Sequence, residues 1–216
     1  MKIAVLGTGV VGQSIATRLL ALGHEVKMGS RIASNEKLNA WVSSSGSRAS
    51  GATFAEAAAF GELVFNCTRG TSTLEALRSA GADNLRNKIL IDVSNPLDFS
   101  KGIPPALFTG NTDSLGEQVQ RAFPETQVVK TLNTVGAYIM VDPARVAGGD
   151  HDVFVSGNDG GAKAKVVEIL RGWFGWKNVI DLGDITTARG TESYLALWVR
   201  LWGALGTAHF NIKIAR

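Results

Sequence analysis

The sequence predicts an α/β fold, a doubly wound and mainly parallel sheet followed by a C-terminal helical extension. Short apolar runs typical of buried strands alternate with segments of helical periodicity along the chain. Residues 1–31 also place a strand, a glycine-rich turn, a helix and a second strand directly after one another. We see no internal repeat or low-complexity linker that divides the chain.

The first strand, from Ile3 to Leu6, is continuously apolar and is therefore expected to be buried on both faces. The helix from Val10 to Leu22 follows it, and the second strand ends at Gly29-Ser30-Arg31. Serine-rich residues 43–50 and the proline-rich segment from Pro96 to Pro105 are expected to be loops. Further strands are expected at 52–54, 63–67, 88–92, 127–132, 152–156 and 179–182. Further helices are expected at 35–45 with Ser34 as its cap, and at 55–60, 72–80, 115–122, 160–174 and 194–210.

The turn Gly7-Thr8-Gly9-Val10-Val11-Gly12 has the Gly-x-Gly-x-x-Gly spacing between a strand and a helix. Gly7 allows a tight turn, Gly9 lets the backbone approach a pyrophosphate, and Gly12 lets helix and strand pack closely. The free N–H groups at the helix start favour an anion. The pattern predicts a Rossmann-type dinucleotide site, and the alternative is an ordinary glycine-rich turn.

The end of the second strand indicates which dinucleotide is bound. An NAD-selective site presents Asp or Glu there for the ribose hydroxyls, whereas this chain has Ser30 and Arg31. Glu25 lies at the other end of the strand, too early to reach the ribose. A hydroxyl and a guanidinium suit a 2′-phosphate, so we expect NADP(H). The alternative is that Arg31 is a solvated surface residue.

Composition excludes several classes of protein. With 216 residues, 45% of them hydrophobic, the chain is long enough to bury a core, and a net charge of +3 without a basic run argues against nucleic-acid binding. The lone Cys67 excludes an internal disulfide and fits a cytoplasmic protein. Because strand residues are expected from Lys2 onward, no cleaved signal peptide is expected. The apolar segment from Tyr194 to Phe210 is interrupted by Arg200 and is short for a membrane span.

Three later strand ends are candidates for cofactor contact, because ligands of such sheets lie across the carboxyl ends of the strands. The first of these strand ends supplies Cys67, Thr68 and Arg69. The second supplies Asn95, and the third supplies Asn133, Val135 and Gly136. The alternative is that these residues only form turns. Cys67 is not expected to be a nucleophile, since no histidine or helix start nearby would lower its pKa.

No metal site and no catalytic acid or base is predicted. His24, His151 and His209 have no ligand spacing, and carboxylates such as Asp92 are expected to cap helices or to be solvated. No Ser-His-Asp or Lys-Tyr set is evident. Hydride transfer between conjugated rings needs stacking and water exclusion more than a protein acid or base.

The glycine turn, the strand end 26–31, the segment 129–135 and the tail 194–216 together resemble NADP oxidoreductases dependent on coenzyme F-420. This resemblance implies reversible hydride exchange between NADPH and a deazaflavin. It also implies that Thr8, Ser30 and Arg31 bind the 2′-phosphate and that Val135 to Ala137 lie beside the nicotinamide.

The segment Asn133-Thr134-Val135-Gly136 departs from the His-Thr-Ile-Pro run of archaeal members. Its asparagine form is similar to the reductase domains of the STEAP metalloreductases, which pass electrons from NADPH to flavin. FMN or FAD is therefore a second expected acceptor.

The C-terminal helix has a wide apolar surface of Leu195, Trp198, Val199, Trp202, Leu205 and Phe210. A partner subunit or a flat ring system would cover it, and packing in the core is the alternative. We expect a homodimer whose tails wall the acceptor pocket. Residues 1–150 would then bind the dinucleotide, and residues 151–216 would serve the acceptor and the dimer contact.

Two other functions stay open at this point. The first is a non-catalytic module that senses NADP. The second is a small-imine reductase of the pyrroline-5-carboxylate type, which the Trp- and Leu-rich tail disfavours because imine reduction needs a polar, acid-donating pocket.

Overall fold

The computed structural model describes residues 1–215, and Arg216, the last residue of the expected C-terminal region, lies outside them. In chain order the strands are β1 (Lys2–Leu6), β2 (Glu25–Ser30), β3 (Ala49–Thr53), β4 (Leu63–Asn66), β5 (Ile89–Asp92), β6 (Leu97–Asp98), β7 (Ala106–Leu107), β8 (Gln127–Thr131), β9 (Asp152–Gly157) and β10 (Asn178–Gly183). The α-helices are α1 (Val10–Ala21), α2 (Glu36–Ser45), α3 (Phe54–Phe60), α4 (Thr73–Ala80), α5 (Ala82–Leu85), α6 (Leu115–Ala122), α7 (Ala137–Met140), α8 (Gly160–Ile169), α9 (Ala188–Ser193) and α10 (Leu195–Leu205).

Eight strands form one sheet in the order β10-β9-β8-β5-β4-β1-β2-β3. All neighbouring pairs are parallel except β8 and β9, which are antiparallel. The chain moves outward from β1 through β2 and β3, then returns to β4 on the other side of β1. The strand order therefore reverses between β1 and β4, where open α/β sheets bind their ligands. The predicted doubly wound, mainly parallel fold is confirmed.

The central strand β1 explains why helices cover both faces of the sheet. Ile3 and Val5 pack with Ile15 of α1 in one apolar cluster, whereas Ala4 and Leu6 belong to a second cluster on the opposite face. These four apolar residues of β1 are fully buried. Successive side chains of a strand alternate between faces, so a continuous apolar run requires cover on both sides.

Two predicted boundaries near the second and third strands are wrong. The cap of α2 is Asn35, whose side chain accepts a hydrogen bond of 3.0 Å from the Leu38 amide, and Ser34 precedes the cap. Strand β3 begins at Ala49, inside the expected serine-rich loop. It ends at Thr53 because Thr53 and Glu56 form a capping box that starts α3 at Phe54.

The proline-rich segment and the C-terminal tail also differ from expectation. A short antiparallel hairpin, in which Leu97 pairs with Leu107, lies within the expected loop. The last helix ends at Leu205 rather than Phe210, because Gly206 adopts a left-handed φ of 66°. The tail then folds back onto β9, where the Asn211 amide donates to the Asp152 carbonyl at 2.8 Å.

Helices of the described residues, 1–215, include none that is long and apolar enough to cross a membrane.

Candidate functional site

A cleft of about 640 Å³ opens at the carboxyl edge of the sheet, where the strand order reverses. Its walls come from the ends of β1, β2 and β4 and from one side of α4. The lining residues are Gly7, Thr8, Gly9, Ser30, Arg31, Ile32, Asn35, Phe54, Cys67, Thr68, Arg69, Ser72, Glu75, Ala76 and Ser79. The topology alone favours this position for a nucleotide.

The three glycines of the turn have different structural roles. A Cβ at Gly7, whose φ is 118°, would lie 2.6 Å from the Cys67 carbonyl oxygen, and a Cβ at Gly12 would lie 2.1 Å from the Gly7 carbonyl oxygen. Gly7 and Gly12 are therefore required by packing. A Cβ at Gly9 would meet nothing within 4 Å, so the backbone there faces open space.

The start of α1 fits an anionic group. Gly9 is the N-cap residue and provides no side chain to bond the first amides of the helix. Gly9 lines the cleft, so the positive end of the helix dipole lies at the cleft wall, and a helix start of this kind binds pyrophosphate in other proteins. The residues present thus fit the phosphate groups of a dinucleotide.

The end of β2 presents a cation and no carboxylate. Arg31 is exposed, lines the cleft and forms none of the ion pairs found within residues 1–215. The Ser30 side chain is buried and its hydroxyl donates to the Ile32 carbonyl, so it would have to rotate to donate to a phosphate. Glu25 pairs in register with Lys2 at the opposite end of the strand, as its position in the sequence predicts.

The end of β4 is fixed by hydrogen bonds. The Thr68 hydroxyl donates to the Asn66 side-chain oxygen at 2.7 Å, which holds the loop at Cys67 and Arg69 against the sheet. Burial, together with the nearby Asp92 carboxylate, raises the pKa of the Cys67 thiol above its usual range. A neutral thiol is a poor nucleophile. The expectation that Cys67 is not a nucleophile therefore agrees with its surroundings.

The remaining predicted contacts lie at the ends of β5 and β8, outside the lining of this cleft. Asn95 and Asn133 are joined by reciprocal hydrogen bonds. Val135 is buried, and Ala137 begins α7. A Cβ added at Gly136 would lie 3.1 Å from the Ala208 carbonyl oxygen.

The helix residues of the glycine motif have separate environments. Val10 is exposed and lines a second cleft of about 640 Å³, which runs along α1 and includes Tyr138. Val11 is half-buried and packs against the core. Of the predicted cofactor-binding residues, therefore, only those at the ends of β1, β2 and β4 line the first cleft.

Sequence reasoning missed the residues that line the outer part of the cleft: Ile32, Asn35, Phe54, Ser72, Glu75, Ala76 and Ser79. They do not end strands of the sheet; most lie on α4 or just after β2. The available signal was the spacing of three and four between the polar residues Ser72, which directly precedes α4, and Glu75 and Ser79 within it.

Sequence reasoning also gave Asp92 the wrong role. Instead of capping a helix or lying in solvent, it is fully buried beside Lys130, with 2.9 Å between Asp92 Oδ2 and Lys130 Nζ. Asn66, Asp92 and Lys130 are register partners on three neighbouring strands. Their side chains form a buried polar row across the sheet. Asn66 and Asp92 are the last residues of β4 and β5, and Lys130 is the next-to-last residue of β8.

The part of the chain that the structure describes contains no group of three His, Cys, Asp or Glu residues placed to hold a metal ion.

Comparison with known proteins identifies the family. Residues 2–96, which include β1 to β5 and the cleft lining, match the family described as NADP oxidoreductase, coenzyme F420-dependent. A solved structure from Arthrobacter sp. FB24, provisionally named an F420-dependent NADP reductase, is 58% identical with a TM-score of 0.94, and each chain covers 100% of the other.

Two curated relatives are more distant. The F420-dependent NADP reductase of Methanothermobacter marburgensis is 28% identical over 210 residues, covering 93% of this chain and 92% of the relative. The metalloreductase STEAP3 of Rattus norvegicus is 31% identical over 192 residues. The match covers 89% of this chain but only 36% of STEAP3, so the chain spans about a third of that relative. The chain belongs to the family of coenzyme F420-dependent NADP oxidoreductases and is an NADP-dependent oxidoreductase.

Proposed function

We propose that the protein transfers a hydride between NADPH and a deazaflavin of the F-420 type, with FMN or FAD as the alternative acceptor. The open backbone at Gly9, beside the free amides of α1 and with Arg31 across the same cleft, is the observation that carries this proposal. The names of the Arthrobacter and Methanothermobacter relatives support the choice of acceptor.

The cofactor would extend across the carboxyl edge of the sheet. Gly7 to Gly12 would hold the pyrophosphate, and Thr8, Ser30 and Arg31 would hold the 2′-phosphate. Arg31 carries the main part of this selectivity, since its planar group of N–H donors matches a phosphate and its charge has no competing partner in the cleft wall other than the exposed Glu75.

The nicotinamide would reach the ends of β5 and β8. Cys67, Thr68 and Arg69 border its path, and Asn95, Asn133, Val135, Gly136 and Ala137 would form its subsite. Val135 is buried and Gly136 and Ala137 are small and half-buried, so this segment would present a short apolar surface that excludes water from one face of the ring.

When bound, NADPH supplies a hydride to the acceptor ring, and the acceptor takes one proton to complete its reduction. The protein's contribution is to align the two rings at contact distance and to keep water away. No protein acid or base is assigned, so the proton comes from solvent.

Residues 151–216 would supply the acceptor wall and a homodimer contact. Leu197, Trp202 and Leu205 of α10 are 55%, 40% and 57% exposed, and Leu205 lies one turn after Trp202 and two turns after Leu197. Exposed apolar groups of this size are typical of an interface. A second copy of the chain is the proposed partner.

An anaerobic assay of NADPH oxidation tests the reaction. Purified protein is mixed with NADPH and, in separate reactions, coenzyme F-420, FMN, FAD and a quinone, with NADH as the matched control donor. Fast loss of the reduced-nicotinamide absorbance with F-420 or a flavin, and at least tenfold less with NADH, is expected. Constant absorbance with every acceptor, despite tight NADPH binding, would contradict catalysis and indicate a sensor.

A further inference from the structure

Three charged side chains are buried together beneath the predicted nicotinamide subsite. We call Asp92, Lys130 and Glu192 the ion cluster. Their side chains are 0%, 0% and 1% exposed. Asp92 and Lys130 come from the neighbouring strands β5 and β8, and Glu192 comes from α9, directly before the C-terminal helix.

The Lys130 ammonium has an acceptor for each of its three N–H donors. Its Nζ atom lies 2.9 Å from Asp92 Oδ2, 2.8 Å from Glu192 Oε1 and 2.6 Å from the Ser94 carbonyl oxygen. Burial by itself would lower the pKa of Lys130, but the two carboxylates outweigh it and raise the pKa above its ordinary value. The charged form of the lysine is therefore favoured in the folded protein.

The two carboxylates are also fully engaged. Asp92 Oδ1 accepts hydrogen bonds from the Asn66 amide at 2.7 Å, and from the Ser94 hydroxyl and backbone N–H at 2.7 and 3.1 Å. Glu192 accepts the backbone amides of Leu115 and Gly116, at 2.7 and 2.9 Å, where α6 begins. The positive end of that helix offsets the second negative charge.

Stability alone is a weak explanation for such a cluster. Removing three charges from water is costly, and well-packed apolar residues of similar volume often stabilise a core as well or better. What the cluster provides instead is fixed geometry, since each N–H donor of Lys130 is directed at one acceptor.

That geometry is transmitted to the strand ends. Lys130 holds the Ser94 carbonyl, and the next residue, Asn95, donates from its side-chain amide to the Asn133 carbonyl at 2.8 Å. Asn133 returns a hydrogen bond of 3.1 Å to the Asn95 side-chain oxygen. One buried ammonium therefore fixes both segments that border the predicted nicotinamide subsite.

We propose that Lys130 is a positioning residue for the nicotinamide half of the cofactor: it fixes Ser94 and Asn95 and, through the Asn95–Asn133 pair, the segment 133–137. It does not itself touch the cofactor. This inference rests on the proposed NADPH function. Under this proposal Lys130 acts on the nicotinamide half of the cofactor, whereas Arg31 would bind the adenosine half at the other end of the cleft.

Replacing Lys130 with methionine tests the proposal, because methionine keeps much of the volume and removes the charge. Affinities for NADPH and for adenosine 2′,5′-bisphosphate, which lacks the nicotinamide, are measured on the full chain by calorimetry. The ratio of the two dissociation constants, NADPH over the bisphosphate, should rise fivefold or more in Lys130→Met. Lys163→Met is the matched control, since Lys163 of α8 forms its ion pair with Asp181 of the edge strand β10 and its loss should leave the ratio unchanged.

A smaller change of the ratio in folded Lys130→Met would overturn the proposal, because equal losses for both ligands mean a general structural role. Should Lys130→Met not fold, the double variant Lys130→Met/Asp92→Asn takes its place with the same threshold. It leaves no carboxylate without a partner: the amide introduced at position 92 keeps an oxygen for Asn66 and Ser94, and Glu192 keeps its two backbone amides. Wild-type protein that binds neither ligand would instead refute the proposed function itself.

Discussion

Asn95 and Asn133 each donate one side-chain hydrogen bond to the other residue, at 2.8 Å to the Asn133 carbonyl and at 3.1 Å to the Asn95 side-chain oxygen. The two residues follow β5 and β8, which are neighbours in the sheet. Their pairing joins two loops at the carboxyl edge and leaves little freedom for either. The cofactor subsite proposed here is therefore held in shape before any ligand arrives, which lowers the entropy cost of binding.

Arg31→Ala is expected to remove selectivity for the 2′-phosphate. NADPH affinity should fall at least tenfold, equivalent to about 1.4 kcal/mol or more, whereas NADH affinity should change less than twofold. Fluorescence titration with both nucleotides measures this. Arg78→Ala is the control, because Arg78 is exposed on α4 and does not line the cleft. Equal losses for NADPH and NADH would show that Arg31 has no phosphate role.

Two glycine variants should separate binding from folding. In Gly9→Ala the added methyl group meets no protein atom, and the Gly9 φ of −75° suits alanine, so thermal stability should be retained. The methyl group would occupy the space proposed for the pyrophosphate, and NADPH affinity should fall at least tenfold. Calorimetry and thermal denaturation check the two expectations.

Gly12→Ala should have the opposite profile. Its Cβ would lie 2.1 Å from the Gly7 carbonyl oxygen, so the turn must shift, at a cost of about 1–3 kcal/mol in stability. A fall of the melting temperature by several degrees is expected before any ligand is added. A stable Gly12→Ala protein, or an unstable Gly9→Ala protein, would contradict these roles.

The sequence was sufficient for the features that depend on local chemistry. Continuous apolar residues in β1 and glycines at 7, 9 and 12 predict the strand, the turn and the helix without knowledge of distant contacts. The absence of a carboxylate after β2 is equally local. The alternation of strands and helices likewise predicts a mainly parallel sheet with right-handed crossovers and helices on both faces.

Features that depend on distant residues could not be predicted in this way. Glu192 lies 62 positions after Lys130 in the chain and reaches it only because α9 packs on α6 beside β8. Two other errors have a different cause, because their signals are local and were overlooked. The capping box at Thr53 and Glu56 ends β3 and starts α3 one residue earlier than expected. The end of α10 was missed because Gly206 was not recognised as a left-handed terminator.

The Cys67 thiol should react slowly with alkylating reagents. Burial and the Asp92 charge raise its pKa above the usual range, so the thiolate fraction at pH 8 is smaller than in a free cysteine. The rate of iodoacetamide labelling, followed by mass spectrometry, should be at least tenfold below that of the urea-unfolded chain at the same pH. Raising the pH should increase the rate through pH 9 and beyond without a plateau. Fast labelling of folded protein at pH 7 would mean that the thiol has a normal or lowered pKa.

The exposed apolar side of α10 predicts that two copies of the chain form a dimer. Trp202→Glu places a carboxylate beside Leu205, on the surface proposed to contact a second copy, where its desolvation would be unfavourable. Wild-type protein at micromolar concentration should scatter light as a dimer, and Trp202→Glu should scatter as a monomer with an unchanged circular dichroism spectrum. Leu182→Glu, on the outermost strand β10, is the control because it replaces another exposed leucine and should remain dimeric. A monomeric wild-type protein with full reductase activity would rule out a dimer contact and leave the exposed side of α10 to the acceptor alone.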